Sequence, residues 1–110
     1  MANTFTRKLS RGIGTTATAV GTYTVPSSTT AVVIGLSVTN TSGSAISANV
    51  YINASAANTS LITNGPISSG ASLAVAGGDQ KVVLITGDTI YVQSSAASSV
   101  DVVMSIMEIT

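Results

Sequence analysis

Histidine, cysteine and tryptophan are absent from this 110-residue chain, and Phe occurs once, Pro twice. Charge is nearly as scarce: four basic and four acidic side chains, for a formal net charge of zero. Each absence excludes something. Without Cys there is no disulfide framework to staple a small core, and cysteine usage gives no reading of the redox compartment. Without His, the many serines have no imidazole to take a hydroxyl proton. With neither, the usual zinc ligands are missing. Zero net charge removes the general attraction to nucleic acid expected of a basic chain. No apolar run approaches the roughly 18 residues of a spanning helix, and the N-terminus lacks the apolar region of a signal peptide. The expectation is a soluble protein made in a cytoplasm, with no membrane and no nucleic-acid partner.

What is present is a chain 45% hydrophobic, rich in Val, Ile, Ala, Ser and Thr. That is enough apolar surface for one packed domain, and too much for disorder. Short β-branched runs recur between Gly, Asn, Ser and Pro, and no window holds apolar residues at helical spacing. The pattern predicts an all-β fold. Over residues 31–39, Val32, Ile34, Leu36 and Val38 alternate onto one face. Over 45–54, Ile46, Ala48, Val50 and Ile52 do the same, with Ser47, Asn49, Tyr51 and Asn53 opposite. The turn residues at 40–43 suggest that these two runs pair as an antiparallel hairpin. Runs over 81–85 and 89–93 repeat the logic around a Thr-Gly-Asp turn.

The last run, 100–109, places Val100, Val102, Met104 and Ile106 on one face and Asp101, Val103, Ser105, Met107 and Ile109 on the other. Both faces are partly apolar, which predicts a central strand or an interface. Short strands are also expected at 61–63 and 71–76, with Gly65-Pro66-Ile67 opening a turn between them, and an alternating one over 15–25. Seven or eight antiparallel strands at this spacing predict a compact β-sandwich or jelly roll over residues 15–110.

Candidate chemistry is thin. Lys8 or Lys81 is the only base type available to a serine, and Lys81 at a strand start reads as a solvated charge. Paired carboxylates would have to come from Asp79, Asp88, Asp101 and Glu108, but the first two follow Gly in turns that already explain them. No calcium-loop spacing occurs, which leaves only a fortuitous surface ion near Asp79 or Asp88. Gly12, Gly14 and Ala17 match a dinucleotide fingerprint without the strand, helix or later acid it needs; flexibility of a basic arm accounts better for those glycines. Asn40, Asn53 and Asn58 open glycosylation sequons, as chance provides in a Ser/Thr-rich chain. Tyr23, Tyr51 and Tyr91 read as packing at the core edge rather than as a sugar platform, and the irregular Thr-x-Thr pairs as outward strand positions. The expectation is no catalytic residue, no metal and no cofactor.

The basic cluster Arg7, Lys8 and Arg11 has directional content, because all the acids lie in the last third. Residues 1–14 read as an extended arm, with Phe5, Leu9 and Ile13 apolar and the cations between them. Phe5, Arg7, Lys8, Leu9 and Arg11 are its partner-binding candidates, laid across an acidic neighbouring subunit. Val103, Met107 and Ile109 are the candidates for self-association.

Three stretches carry a resemblance: Met-Ala-Asn-Thr-Phe-Thr-Arg-Lys-Leu at 1–9, Thr-Ala-Val-Val-Ile-Gly-Leu-Ser-Val-Thr-Asn-Thr-Ser at 30–42, and Gly-Gly-Asp-Gln-Lys-Val-Val-Leu-Ile-Thr-Gly-Asp-Thr-Ile-Tyr-Val-Gln at 77–93, continuing to Val102. In these the chain resembles small virion structural proteins of tailed phages, of the cyanophage and marine-phage type. The resemblance implies a β-sandwich carried in many copies on a virion, with no active site to transfer. Within that class the preferred role is a capsid decoration (cement) protein bound to the major capsid protein or another virion protein, as a homo-oligomer, trimer or ring. The alternatives are a ring-forming tail, neck or baseplate component and a glycan-binding adhesin.

Overall fold

The structure, a computed structural model, describes residues 3–54, 57–76 and 81–110. They form nine strands: β1 (Asn3–Ile13), β2 (Thr18–Thr24), β3 (Thr30–Asn40), β4 (Ile46–Ala54), β5 (Ala57–Ile67), β6 (Ser72–Ala76), β7 (Val82–Leu84), β8 (Thr89–Ser94) and β9 (Val100–Ile109). One sheet runs β1-β9-β3-β6, with β7 pairing β3 beside β6, and the other runs β2-β8-β4-β5. All pairings are antiparallel. The winding, with the chain passing repeatedly from one sheet to the other, is that of a jelly roll. The expected all-β sandwich is present.

Two expected hairpins are not. β3 pairs β9, β6 and β7, while β4 pairs β5 and β8, so the runs at 31–39 and 45–54 lie in opposite sheets. Likewise β7 joins β3, and β8 joins β2 and β4. An alternating strand buries its apolar face equally well beside a neighbour or across the sandwich from it, and turn residues fit both connections. The corner after β3 is held by Asn40, which is fully buried. Its Nδ2 donates to Ser44 O at 2.8 Å and Ile67 O at 3.0 Å, and its Oδ1 accepts from Ser42 N at 2.9 Å and Ser42 Oγ at 2.7 Å. A buried amide with all these bonds satisfied fixes one exit direction for the chain. It also takes Asn40 out of use as a glycosylation acceptor.

The core forms between the sheets from Val20, Val25, Val33, Leu36, Val50, Leu84, Ile90, Val92, Val102, Met104 and Ile106, all buried. Each such side chain contributes about 1.5–3 kcal/mol relative to exposure. β4 buries the expected set, Ile46, Ala48 and Val50, with Ile52 packed against the core. β3 does not: Ala31, Val33, Leu36 and Val38 are buried, whereas Val32 and Ile34 face outward. The cause is a bulge between Val33 and Gly35, where the register against β9 shifts. One extra residue inverts the inside and outside of everything before it.

Gly65-Pro66-Ile67 does not turn the chain; it ends β5, with Pro66 opposite Ser47. β5 is an edge strand, where a missing N–H costs no ladder bond. The turn containing Asp88 is as expected. Asp88 N donates to Ile85 O and Ile85 N to Asp88 Oδ2, both at 3.0 Å, around Gly87 at φ +92°. Asp79 and its flanking glycines lie outside the described residues.

Candidate interaction faces

Residues 3–13, expected as an arm, are extended and lie along β9 as the sheet's edge strand, paired continuously from Asn3↔Ile109 to Ser10↔Val102. The alternation of a strand then divides the basic cluster. Phe5, Arg7 and Leu9 stand opposite Met107, Ser105 and Val103 on the outer face. Lys8 stands opposite buried Met104 and turns inward, its Nζ 4.9 Å from the Tyr23 ring centroid. Arg11 is exposed where the register slips, beside Gly12, whose N–H donates to Asp101 Oδ1 at 3.0 Å. Gly12 has φ +60° and serves this slip, while a Cβ on Gly14 would lie 3.2 Å from Ser98 N. A bulge and a close backbone approach, rather than arm flexibility, account for the two glycines.

Cross-strand registers assemble the outer face of this sheet into rows. Phe5, Met107, Val32 and Val83 form one apolar row over four strands. Leu9, Val103, Ser37 and Ala74 form another, with Arg7, Ser105 and Gly35 between them and Ile109 beyond. Phe5 is 71% exposed, Val83 60% and Val103 47%. The arm candidates Phe5, Arg7 and Leu9 and the self-association candidates Val103, Met107 and Ile109 are thus one continuous surface. Alternation announced the β9 half, but Val32 and Val83 join only through pairing.

Beneath the first sheet, Tyr23 of β2 donates its hydroxyl to Glu108 Oε2 of β9 at 2.7 Å, tying the two sheets together. Burial, then the hydrogen bond to Glu108 and its negative charge, pushes the Tyr23 phenol well above its ordinary pKa. Close packing at this corner needs Gly21, at φ +59°, because a Cβ there would lie 2.7 Å from Lys8 Cβ.

The second sheet presents a different outer face. Tyr51 of β4 and Tyr91 of β8 are paired, half-buried and stacked, with centroids 5.6 Å apart and planes 15° apart. They are outside the sandwich, since their strand neighbours Val50, Ile90 and Val92 fill the core. Only Tyr23 packs at the core edge as expected. Asn49 and Gln93 lie on one side of the pair, and Asn53 and Asn58 on the other. None of β2, β4, β5 or β8 carries a charged residue.

Among the described residues there is no pocket and no cluster of three or more acidic, His or Cys side chains. Nor is any helix among them long and apolar enough to cross a membrane. No protein-family model matches the sequence, and no curated protein sequence matches it. Solved structures do resemble the fold. A protein of Bacillus endospore appendages, which form disulfide-linked pili, superposes with a TM-score of 0.54 at 15% identity, covering 100% of this chain and 91% of that one. The protein of the IBDV T13 viral particle superposes with a TM-score of 0.59 at 9% identity, covering 96% of this chain and 30% of that one. The chain therefore spans under a third of that capsid protein and nearly the whole of the pilus protein. At these identities the shared property is the fold, one found in assembled structural proteins of viral shells and of pili.

Proposed function

We propose that this chain is a non-enzymatic structural subunit of a virion, which docks through the outer face of its first sheet, and that its specific role is capsid decoration. The observation that carries the reading is the outward apolar row Phe5, Met107, Val32 and Val83, exposed at Phe5 and Val83 and half-buried between them, continued by Leu9, Val103 and Ile109 and marked by one cation, Arg7. A contiguous apolar patch on a small domain is the mark of an association surface. The fold shared with a viral particle protein supports the virion setting. The likeness to a pilus protein supports assembly more generally, but its disulfide linkage is not open to a chain without Cys. Docking here is non-covalent.

A decoration protein acts by linkage. Whatever binds an assembled shell but not its separated subunits stabilises the shell, and many weak sites sum. The partner is the major capsid protein or another virion protein with a complementary, partly acidic surface, and further copies of this chain complete a trimer or ring. The second reading, a ring-forming tail or neck component, draws on the pilus likeness, which covers both chains almost completely. Quantitative mass spectrometry of virions carrying this chain separates the two. Hundreds of copies per particle are expected for decoration, and a small multiple of six or twelve would select the ring.

A further inference from the structure

From the outer face of the second sheet we infer a binding site for neutral oligosaccharide, centred on the stacked pair Tyr51 and Tyr91. Charge decides the ligand class first. The strands of this sheet carry no Asp, Glu, Lys or Arg, so the face offers no opposing charge to phosphate, nucleic acid or charged peptide. What it offers is amide and hydroxyl groups around two aromatic rings. That combination suits a polyol, whose C–H faces pack on an aromatic ring while its hydroxyls take hydrogen bonds at the rim.

Geometry supports the same ligand. The cross-strand row runs Ala19, Tyr91, Tyr51, Ser60, so each tyrosine has its partner on one side and, on the other, a side chain too short to cover a ring. On one flank the amides are held in place. Asn64 N donates to Asn49 Oδ1 at 2.7 Å, Asn49 Nδ2 donates to Gln93 Oε1 at 3.5 Å, and Gln93 Nε2 donates to Thr15 O at 2.7 Å. On the other flank Asn53 Nδ2 donates to Asn58 Oδ1 at 2.7 Å, which leaves Asn53 Oδ1 and Asn58 Nδ2 outside that bond. A rigid sheet with immobilised neighbours is preorganised, which lowers the ordering cost of a weak ligand. The site lies on the opposite sheet from the proposed docking face. A subunit docked through the first sheet would keep it outward, and many copies would turn weak single sites into avid binding.

The test uses the purified full chain, so its outcome does not depend on the virion reading. Affinity electrophoresis in gels containing dextran, laminarin, yeast mannan or galactomannan should retard the chain in at least one. Titration with the matching hexasaccharide should shift the ring resonances of Tyr51 and Tyr91 while leaving Tyr23 in place. Tyr91→Leu should weaken binding by about tenfold or more, with the sheet intact by circular dichroism. Ser60→Gln, on the edge strand, covers a ring without removing it and should weaken binding even if the Tyr91 variant does not fold. No retardation and no ring shift in any of the four would overturn the proposal. So would retardation unchanged by Ser60→Gln, retardation abolished by raised salt, or a change of oligomeric state in place of sugar binding.

Discussion

At the residue scale the most consequential side chains are polar and few. Asn40 occupies a buried corner where it bonds to Ser42, Ser44 and Ile67 at once. Asn40→Ala would leave buried polar groups unpaired, and is expected to cost about 2–3 kcal/mol, read as a lower urea midpoint at unchanged slope. Tyr23 gives a pH signature. Its folded pKa is raised above the ordinary 10.0, chiefly by burial and then by Glu108. Above pH 10 the unfolded chain releases the phenol proton while the folded protein retains it. Tyr23 therefore contributes fully below pH 10, and that contribution is lost as pH rises beyond it. Urea denaturation from pH 8 to 11 should show stability falling, and falling less steeply in Tyr23→Phe. Nothing in the sequence singled out either residue. Asn40 looked like a turn residue, as its local bonds to Ser42 and Ser44 would make it, and Tyr23 like ordinary packing; the bonds that tie them to the rest of the fold reach Ile67 and Glu108, 27 and 85 positions away.

At the scale of elements, alternation identified strands well and partners poorly. β9 was legible as a central strand or an interface because both of its faces are partly apolar, and it lies between β1 and β3. β3 was legible as a strand, but half of its inward set was not, since a bulge leaves no mark on the apolar pattern. β1 carries the largest difference. Its basic residues suggested an extended arm laid across a neighbouring subunit, yet the apolar alternation of Phe5, Leu9 and Ile13 is that of a strand, and β9 accepts it as an edge. Lys8, turned inward, is a device that discourages further strands from adding there. Deleting residues 1–12 is therefore expected to remove a sheet edge rather than an arm. It should uncover β9 and lower the thermal midpoint, with loss of a single cooperative transition by calorimetry. A truncated domain as stable as the full chain would show that β1 is dispensable to the fold.

At the scale of the whole molecule, the two sheets turn chemically distinct faces outward. The first bears Arg7, Asp101 and the apolar row, with Lys8 and Glu108 turned inward toward Tyr23; the second is neutral, with amides, hydroxyls and two rings. Substituting a charge into the apolar row tests the docking face without touching the core. Phe5→Asp, at an exposed position of the edge strand, should abolish self-association in light scattering and binding to the particle, while changing unfolding free energy by about 0.5 kcal/mol or less, as a surface substitution does. A loss of stability of several times that size would instead make Phe5 a structural residue.

The sequence by itself determined the all-β class, the strand-forming runs and the apolar second face of β9. These are local or compositional properties, legible in residue type and a period of two. Only the tertiary structure decided which strands pair, which sheet each joins, and hence which side chains share a surface. A period-two pattern specifies that a face must be buried without specifying what buries it. The bulge at Gly35, the buried amide of Asn40 and the long-range registers resolve that degeneracy. They set Phe5 beside Met107 and Val32 on one face, and Tyr51 beside Tyr91 on the other.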